Sequence, residues 1–269
     1  MRFPARTAGA RGARKMRTRY VDIDDRMEDL ADRMRAAPDL AADFLQKYEL
    51  SWLYHENALE GVVYTPQELA TALANQPLAD ATFVSALTAL RNHKTALDLA
   101  REEAKAKRPK LTVALVKRLN ETLCGGPEKT PPDFRKDMPL HRAYFHEIAQ
   151  PAKIPALLEK VLEATESPEF RHLHPVQQIA RLQHGFMQVF PYTDQSGRIA
   201  RLLANLLLVH AGYPLLLIVH STDRQRYYES LRLTESSLRD LSIEALDNAL
   251  TQAEKHFAGA SMRTRKAAR

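Results

Sequence analysis

An all-helical fold is what this 269-residue sequence predicts, and three observations carry the prediction. From Tyr20 onward apolar residues return every three or four positions, runs that alternate apolar and polar are scarce, and helix start and stop signals bracket several of the periodic segments. Hydrophobic residues make up 45% and charged residues 27% of the chain, which supports a sizeable core and excludes the disordered and fibrous classes.

The first periodic segments cover about 22–36 and 39–59. Thr65-Pro66-Gln67-Glu68 is a capping box with proline at the first helical position, so a helix opens there and runs over 66–75. Further periodic segments cover 80–106 and 111–123. Helical spacing then lapses from Cys124 to Pro151, through Gly125-Gly126-Pro127, Pro131-Pro132 and LHRAYFHEI. In a compact helical domain a long irregular stretch is usually functional or disordered. Leu140, Tyr144, Phe145 and Ile148 fit a small β-hairpin with an exposed edge. Helices resume over 153–165, 175–189, 196–211, 223–236 and 239–257. The most apolar stretch, Leu202 to Val219, reaches the lower length limit of a membrane span, but Asn205, His210 and the Gly212-Tyr213-Pro214 break divide it. A buried core helix followed by a separate short segment is expected there.

The formal charge is +6, but it is unevenly spread. Residues 1–19 carry seven Arg and Lys and residues 262–269 carry four, with no acid in either, so the remainder holds 28 basic against 33 acidic side chains. A mildly acidic body of residues 20–258, with no evident linker, is thus expected between a basic disordered arm at 1–19 and a basic tail at 259–269. The basic surplus does not mark the body as a nucleic-acid binder, though the tails alone could touch an anionic polymer. One cysteine, Cys124, excludes an internal disulfide framework and a cysteine metal cluster and points to a reducing, cytoplasmic setting. The Arg-rich start lacks the apolar core of a secretory signal, and Met16 is an alternative start.

The stretch with most chemical information is VFPYTDQSGRIARLLAN, residues 189–205. One helix ends near Val189, a turn holds Pro191 and Asp194, and another helix starts near Ser196. Backbone N–H groups at a helix start are unpaired donors in a positive field, which makes this turn a candidate anion cradle. Arg198 and Arg201 share a face and can clamp a polyphosphate, with Asp194 able to hold a divalent metal on its oxygens. The plainer alternative is Asp194 as a cap and both arginines in structural ion pairs.

These residues resemble the Fic family, whose loop reads H-P-F-x-[D/E]-G-N-G-R-x-x-R. Pro191, Tyr192 for Phe, Asp194, Gly197, Arg198 and Arg201 match, while Phe190 stands for His, Gln195 for Gly and Ser196 for Asn. The segments from His174-Pro175 to Phe186, AGYP at 211–214 and DRQRYYESLR at 223–232 are also similar to the family, and the likeness spans most of 45–250. Upstream, HENALEGVVYTPQEL at 55–69 looks like the inhibitory helix of Fic proteins, [S/T]-x-x-x-E-[G/N], with Glu60-Gly61 in place and Glu56 where Ser or Thr is usual.

The resemblance implies a Fic-type helical domain with an inhibitory helix at about 50–61, a target-docking β-hairpin flap at about 133–152 and a phosphate-binding loop at 190–201. It implies AMP transfer from ATP to a protein hydroxyl, Mg²⁺ at Asp194, phosphates at Ser196, Gly197, Arg198 and Arg201, and obstruction by Glu60 paired with Arg201. The base position falls on Phe190, which cannot take a proton, and a positioned base contributes roughly 10² to 10⁴ in rate. Replacement bases would be His141 or His146 on the flap, since His184 lies nearly two helical turns from Phe190 and Tyr192 would need a strongly lowered pKa. Three readings follow: a nucleotide-binding Fic-fold protein deficient in ordinary transfer, an active transferase with a displaced base, or a scaffold whose basic tails bind nucleic acid.

Overall fold

The computed structural model describes residues 7–74, 81–125, 133–139 and 147–267, with side chains described over 19–74, 87–125, 133–139 and 147–259. The helices are α1 (Thr7–Ala36), α2 (Pro38–Leu59), α3 (Pro66–Leu73), α4 (Ala81–Ala104), α5 (Val113–Cys124), α6 (Ile154–Ala164), α7 (Pro168–Arg171), α8 (Pro175–Val189), α9 (Ser196–His210), α10 (His220–Leu233) and α11 (Glu235–Ala267). A 3₁₀ turn at Pro151–Lys153 leads into α6, and no strand occurs among the described residues. The described parts of the flap, 133–139 and 147–150, are irregular, so the hairpin is not seen; residues 140–146, with His141 and His146, lie outside the described residues.

Contacts divide the chain into two compact units, residues 1–47 with 246–269 and residues 48–245, where a single body over 20–258 is expected. The boundaries fall inside α2 and α11, which run unbroken through them, so no Gly, Pro or polar linker marks the division in the sequence. Helix also replaces the expected disordered arm over 7–19 and tail over 259–267. Ala, Arg, Lys and Met are strong helix formers, and each segment continues a helix already nucleated by packing. Within the smaller unit, Arg26 donates to Glu254 at 2.8 Å and to Thr251 at 3.0 Å and also pairs with Asp247, tying α1 to α11.

In the larger unit α8 and α9 pack along each other, α4 covers α9, and α5 and α6 lie on α4 and α8. Helix α9 is buried on nearly every face, with Ile199, Leu202, Leu203, Leu206 and Leu208 fully inside. It is the expected core helix, and no helix among the described residues is long and apolar enough to cross a membrane. Asn205 at its centre accepts from the Leu216 backbone at 2.6 Å, satisfying a buried amide and fixing the segment 214–219 beside α9. That segment in turn anchors α2: Tyr48 donates to the Leu215 carbonyl at 2.9 Å and Trp52 to the Leu216 carbonyl at 3.1 Å. These bonds bring the last turn of α2 over the first turns of α9.

Candidate functional site

Helix α8 ends because Phe190 takes up a left-handed conformation, φ 50° and ψ 64°, at the position where a helix usually closes on glycine. A side chain there costs on the order of 1–2 kcal/mol, and Phe190 is nonetheless buried at 2% exposure. Arg135 helps to hold the turn. Its Nε donates to the Phe190 carbonyl at 2.7 Å, its Nη2 to the carbonyls of Val189 at 3.3 Å and of Ala149, and its backbone N–H to Pro191 at 2.9 Å. A buried cation thus satisfies the orphan carbonyls at the negative end of α8 and fastens both described edges of the flap to the loop. In the sequence Arg135 falls within the expected flap at about 133–152, and a partner more than fifty residues away leaves no local signal of its role.

The loop closes on Ser196. Its Oγ accepts the Tyr192 N–H at 2.8 Å and donates to the Tyr192 carbonyl at 2.6 Å. Ser196 and Gly197 are both buried at the start of α9, and the cap residue Gln195 contributes no side-chain bond to the helix. Asp194 is exposed at the rim, and no group of three metal-ligating side chains exists among the described residues.

Helix α2 ends on Gly61, whose φ of 89° makes the left-handed close. The Gly61 N–H donates to Ala58 at 3.0 Å and the Val62 N–H to Asn57 at 3.0 Å, the paired bonds of a Schellman turn. The Leu59 carbonyl is taken by Arg224 at 3.0 Å and by the Tyr228 hydroxyl, both from α10. So terminated, the last turn of α2 faces both loop arginines. Arg201, 1% exposed, donates from Nη2 to Glu60 Oε1 at 2.6 Å and from Nε to Glu56 Oε2 at 2.6 Å. Arg198 donates from Nη2 to Asn57 Oδ1 at 3.3 Å and from Nη1 to Gln195 at 3.2 Å, with no ion pair among the described residues.

Glu60 and Arg201 are therefore brought together as expected, whereas the roles of Glu56 and Asn57 were not foreseen. The signal for Glu56 is its i, i+4 spacing from Glu60, which puts both carboxylates on one helix face. Burial, the largest influence, pushes the Glu56 carboxyl above its ordinary range, with Arg201 opposing and Glu60 reinforcing. Its Oε1 is buried without a hydrogen-bond partner. Tyr227 completes the surroundings: its ring lies 5.6 Å from the Arg201 guanidinium, and burial pushes its hydroxyl up to about 12. Buried His93 stands 3.5 Å from Asn57, and burial, aided by Arg198 and Arg201, keeps its ring neutral.

Burial moves the Tyr192 hydroxyl upward, away from what a base requires. His184 is half-buried on α8, its proton affinity lowered by burial, and its charged neighbour is Glu235 at the start of α11.

Next to Glu56, His55 meets His220 at the start of α10, Nδ1 to Nδ1 at 2.9 Å. Burial, then the neighbouring imidazole, lowers the His55 pKa from 6.5 to about 4. A lowered value means that the unfolded chain takes up a proton that the folded chain refuses. Stability is therefore expected to fall as pH drops from 6.5 to about 4. Chemical denaturation across that window should show a shallower fall for His55→Asn; an unchanged slope would remove His55 from the account.

Fold and site together define a helical protein with a loop–helix junction suited to anions, covered by an acidic helix end. The Fic/DOC family profile matches residues 110–208, the part that holds α5, the flap, α8 and most of α9. That segment is similar to Fic/DOC domains. It is 24% identical over 221 residues to the protein adenylyltransferase Fic of Drosophila grimshawi, covering 80% of this chain and 44% of the relative. The corresponding protein of Drosophila mojavensis is 34% identical over 83 residues, 31% of this chain and 16% of the relative. The chain thus spans under half the length of these curated relatives. Among solved structures, a Fic-domain signalling protein from Bacteroides thetaiotaomicron superimposes with a TM-score of 0.72 at 22% identity, over 87% of this chain and 98% of the other. Fic-1 from C. elegans gives 0.75 at 16% identity, over 94% and 75%. At these identities the structures establish the fold alone.

Proposed function

We propose that this Fic-family chain binds nucleotide phosphates at the junction 194–201, is held back by Glu60, and is deficient in AMP transfer. The observation that carries the proposal is the seating of the last turn of α2 on Arg198 and Arg201, with Phe190 buried at the position of the family's base. A guanidinium whose Nη2 meets a carboxylate at 2.6 Å already has the partner that a terminal phosphate would become. Arg198 keeps its charge facing neutral Asn57 and Gln195. Ser196 contributes by closing the loop through Tyr192, so the phosphate donors left to the cradle are the α9 backbone N–H groups and the arginines.

Asp194 suits Mg²⁺. Magnesium takes one or two carboxylates and fills its remaining positions with phosphate oxygens and water, so one exposed carboxylate at the rim fits that habit. When bound, the ion would neutralise phosphate charge and orient the oxygens. Phe190 can exclude water but cannot move a proton from a target hydroxyl. The relatives are named protein adenylyltransferases, and by that likeness a protein target would dock at the flap over 133–152.

Calorimetric titration with ATP and Mg²⁺ tests the proposal. Saturable binding, tighter by about tenfold or more in Glu60→Gly, and no label passed from ATP to protein are expected. Efficient self-modification that requires Asp194 and Arg201 would overturn it.

A further inference from the structure

The two carboxylates on Arg201 are not equivalent. Glu60 sits on the closing turn of α2, its side chain 15% exposed, and meets the guanidinium edge at Nη2. Glu56 lies one turn deeper, 2% exposed, and meets Nε, the part of the guanidinium nearest its stem. Its helix is bolted down on that side by the bonds from Tyr48 and Trp52 to 215–216. A ligand phosphate can displace Glu60 by taking its place at the edge. Glu56, almost fully buried behind that edge, offers no such exposed contact.

From this geometry we infer that the cradle accepts a nucleoside diphosphate about as well as a triphosphate, because Glu56 cancels the charge of Arg201 even after Glu60 has left. The inference rests on the nucleotide reading above and names the ligand class of that same site. A third phosphate adds charge opposite Arg201, where Glu56 stands beneath the guanidinium and repels it; hydrogen bonds to Nη2 are gained, but little net attraction. The second phosphate would face Arg198, which contacts neutral Asn57 and Gln195 and no carboxylate among the described residues, so its charge is offset less than that of Arg201. At separations of a few ångströms, with an effective dielectric constant near 20, the repulsion from one carboxylate is enough to erase about a tenfold preference.

The test compares affinities for ADP and ATP, each with saturating Mg²⁺, by calorimetry on the full chain carrying Glu60→Gly. The expected ratio of the two dissociation constants lies within about threefold, and adding Glu56→Gln should make ATP the tighter ligand by about tenfold. A preference for ATP above about threefold in Glu60→Gly overturns the inference while leaving nucleotide binding intact. Failure of that variant to bind either nucleotide overturns the nucleotide reading, and the inference with it. The decisive comparison needs only Glu60→Gly, so it stands even if Glu56→Gln does not fold.

Discussion

Arg201→Met is expected to lower the free energy of unfolding of the larger unit by about 3–5 kcal/mol, the range for breaking a buried ion pair by removing one partner. The loss is large because Arg201 satisfies more than one group. Without it Glu56, already carrying one unpartnered buried oxygen, has no cation in contact, Glu60 loses its 2.6 Å partner, and Tyr227 loses the charge beside its ring. A domain stabilised by roughly 5–15 kcal/mol gives up a large part of its margin in such a change. Trp52, the single tryptophan, is fully buried on the same helix as Glu56, one turn before it, so its fluorescence during urea denaturation reports on this region. Adding Glu56→Leu should recover much of the loss, since exchanging a buried ion pair for apolar groups of similar size is often close to neutral. A loss below about 1 kcal/mol for Arg201→Met alone would show that the guanidinium and its carboxylates are solvated instead of locked.

Phe190→His combined with Glu60→Gly is expected to raise label transfer from ATP to protein by about 10² to 10⁴ over Glu60→Gly alone, the usual contribution of a positioned general base. Histidine enters left-handed backbone more readily than most side chains, so the turn that ends α8 should accept it. Arg135 holds that turn through backbone carbonyls, independently of the side chain at 190. Phe190→His with Glu60 intact should stay silent, because the carboxylate still occupies the Arg201 edge. If the double variant binds nucleotide but transfers nothing, the missing base is not the sole lesion, and Gln195 and Ser196 become the next positions to restore.

The helical class was legible because amphipathic spacing is a local property, and so were the limits of α8, where proline opens the helix and the family loop follows it. The Glu60 contact was legible by resemblance, and Gly61 by the left-handed turn that a helix end favours. What stayed hidden were contacts between residues far apart in the chain. Arg135 reaches the carbonyls at the end of α8 from 54 and 55 residues away, and Asn57 reaches Arg198 across 141. No periodicity encodes such distances. The terminal arms were misjudged for a related reason: basic, acid-poor segments look solvated in composition, yet Ala and Arg favour helix once a neighbouring turn has nucleated it.

By itself the sequence determined the helical class, the likeness to the Fic family, and the phenylalanine at residue 190 where that family's loop reads histidine. Only the tertiary structure decided that Arg201 is shared by two carboxylates, one of them almost fully buried and the other partly exposed. The reason is that burial, which sets both the strength of a charge and its freedom to move, is a property of the packed interior and not of any stretch of chain.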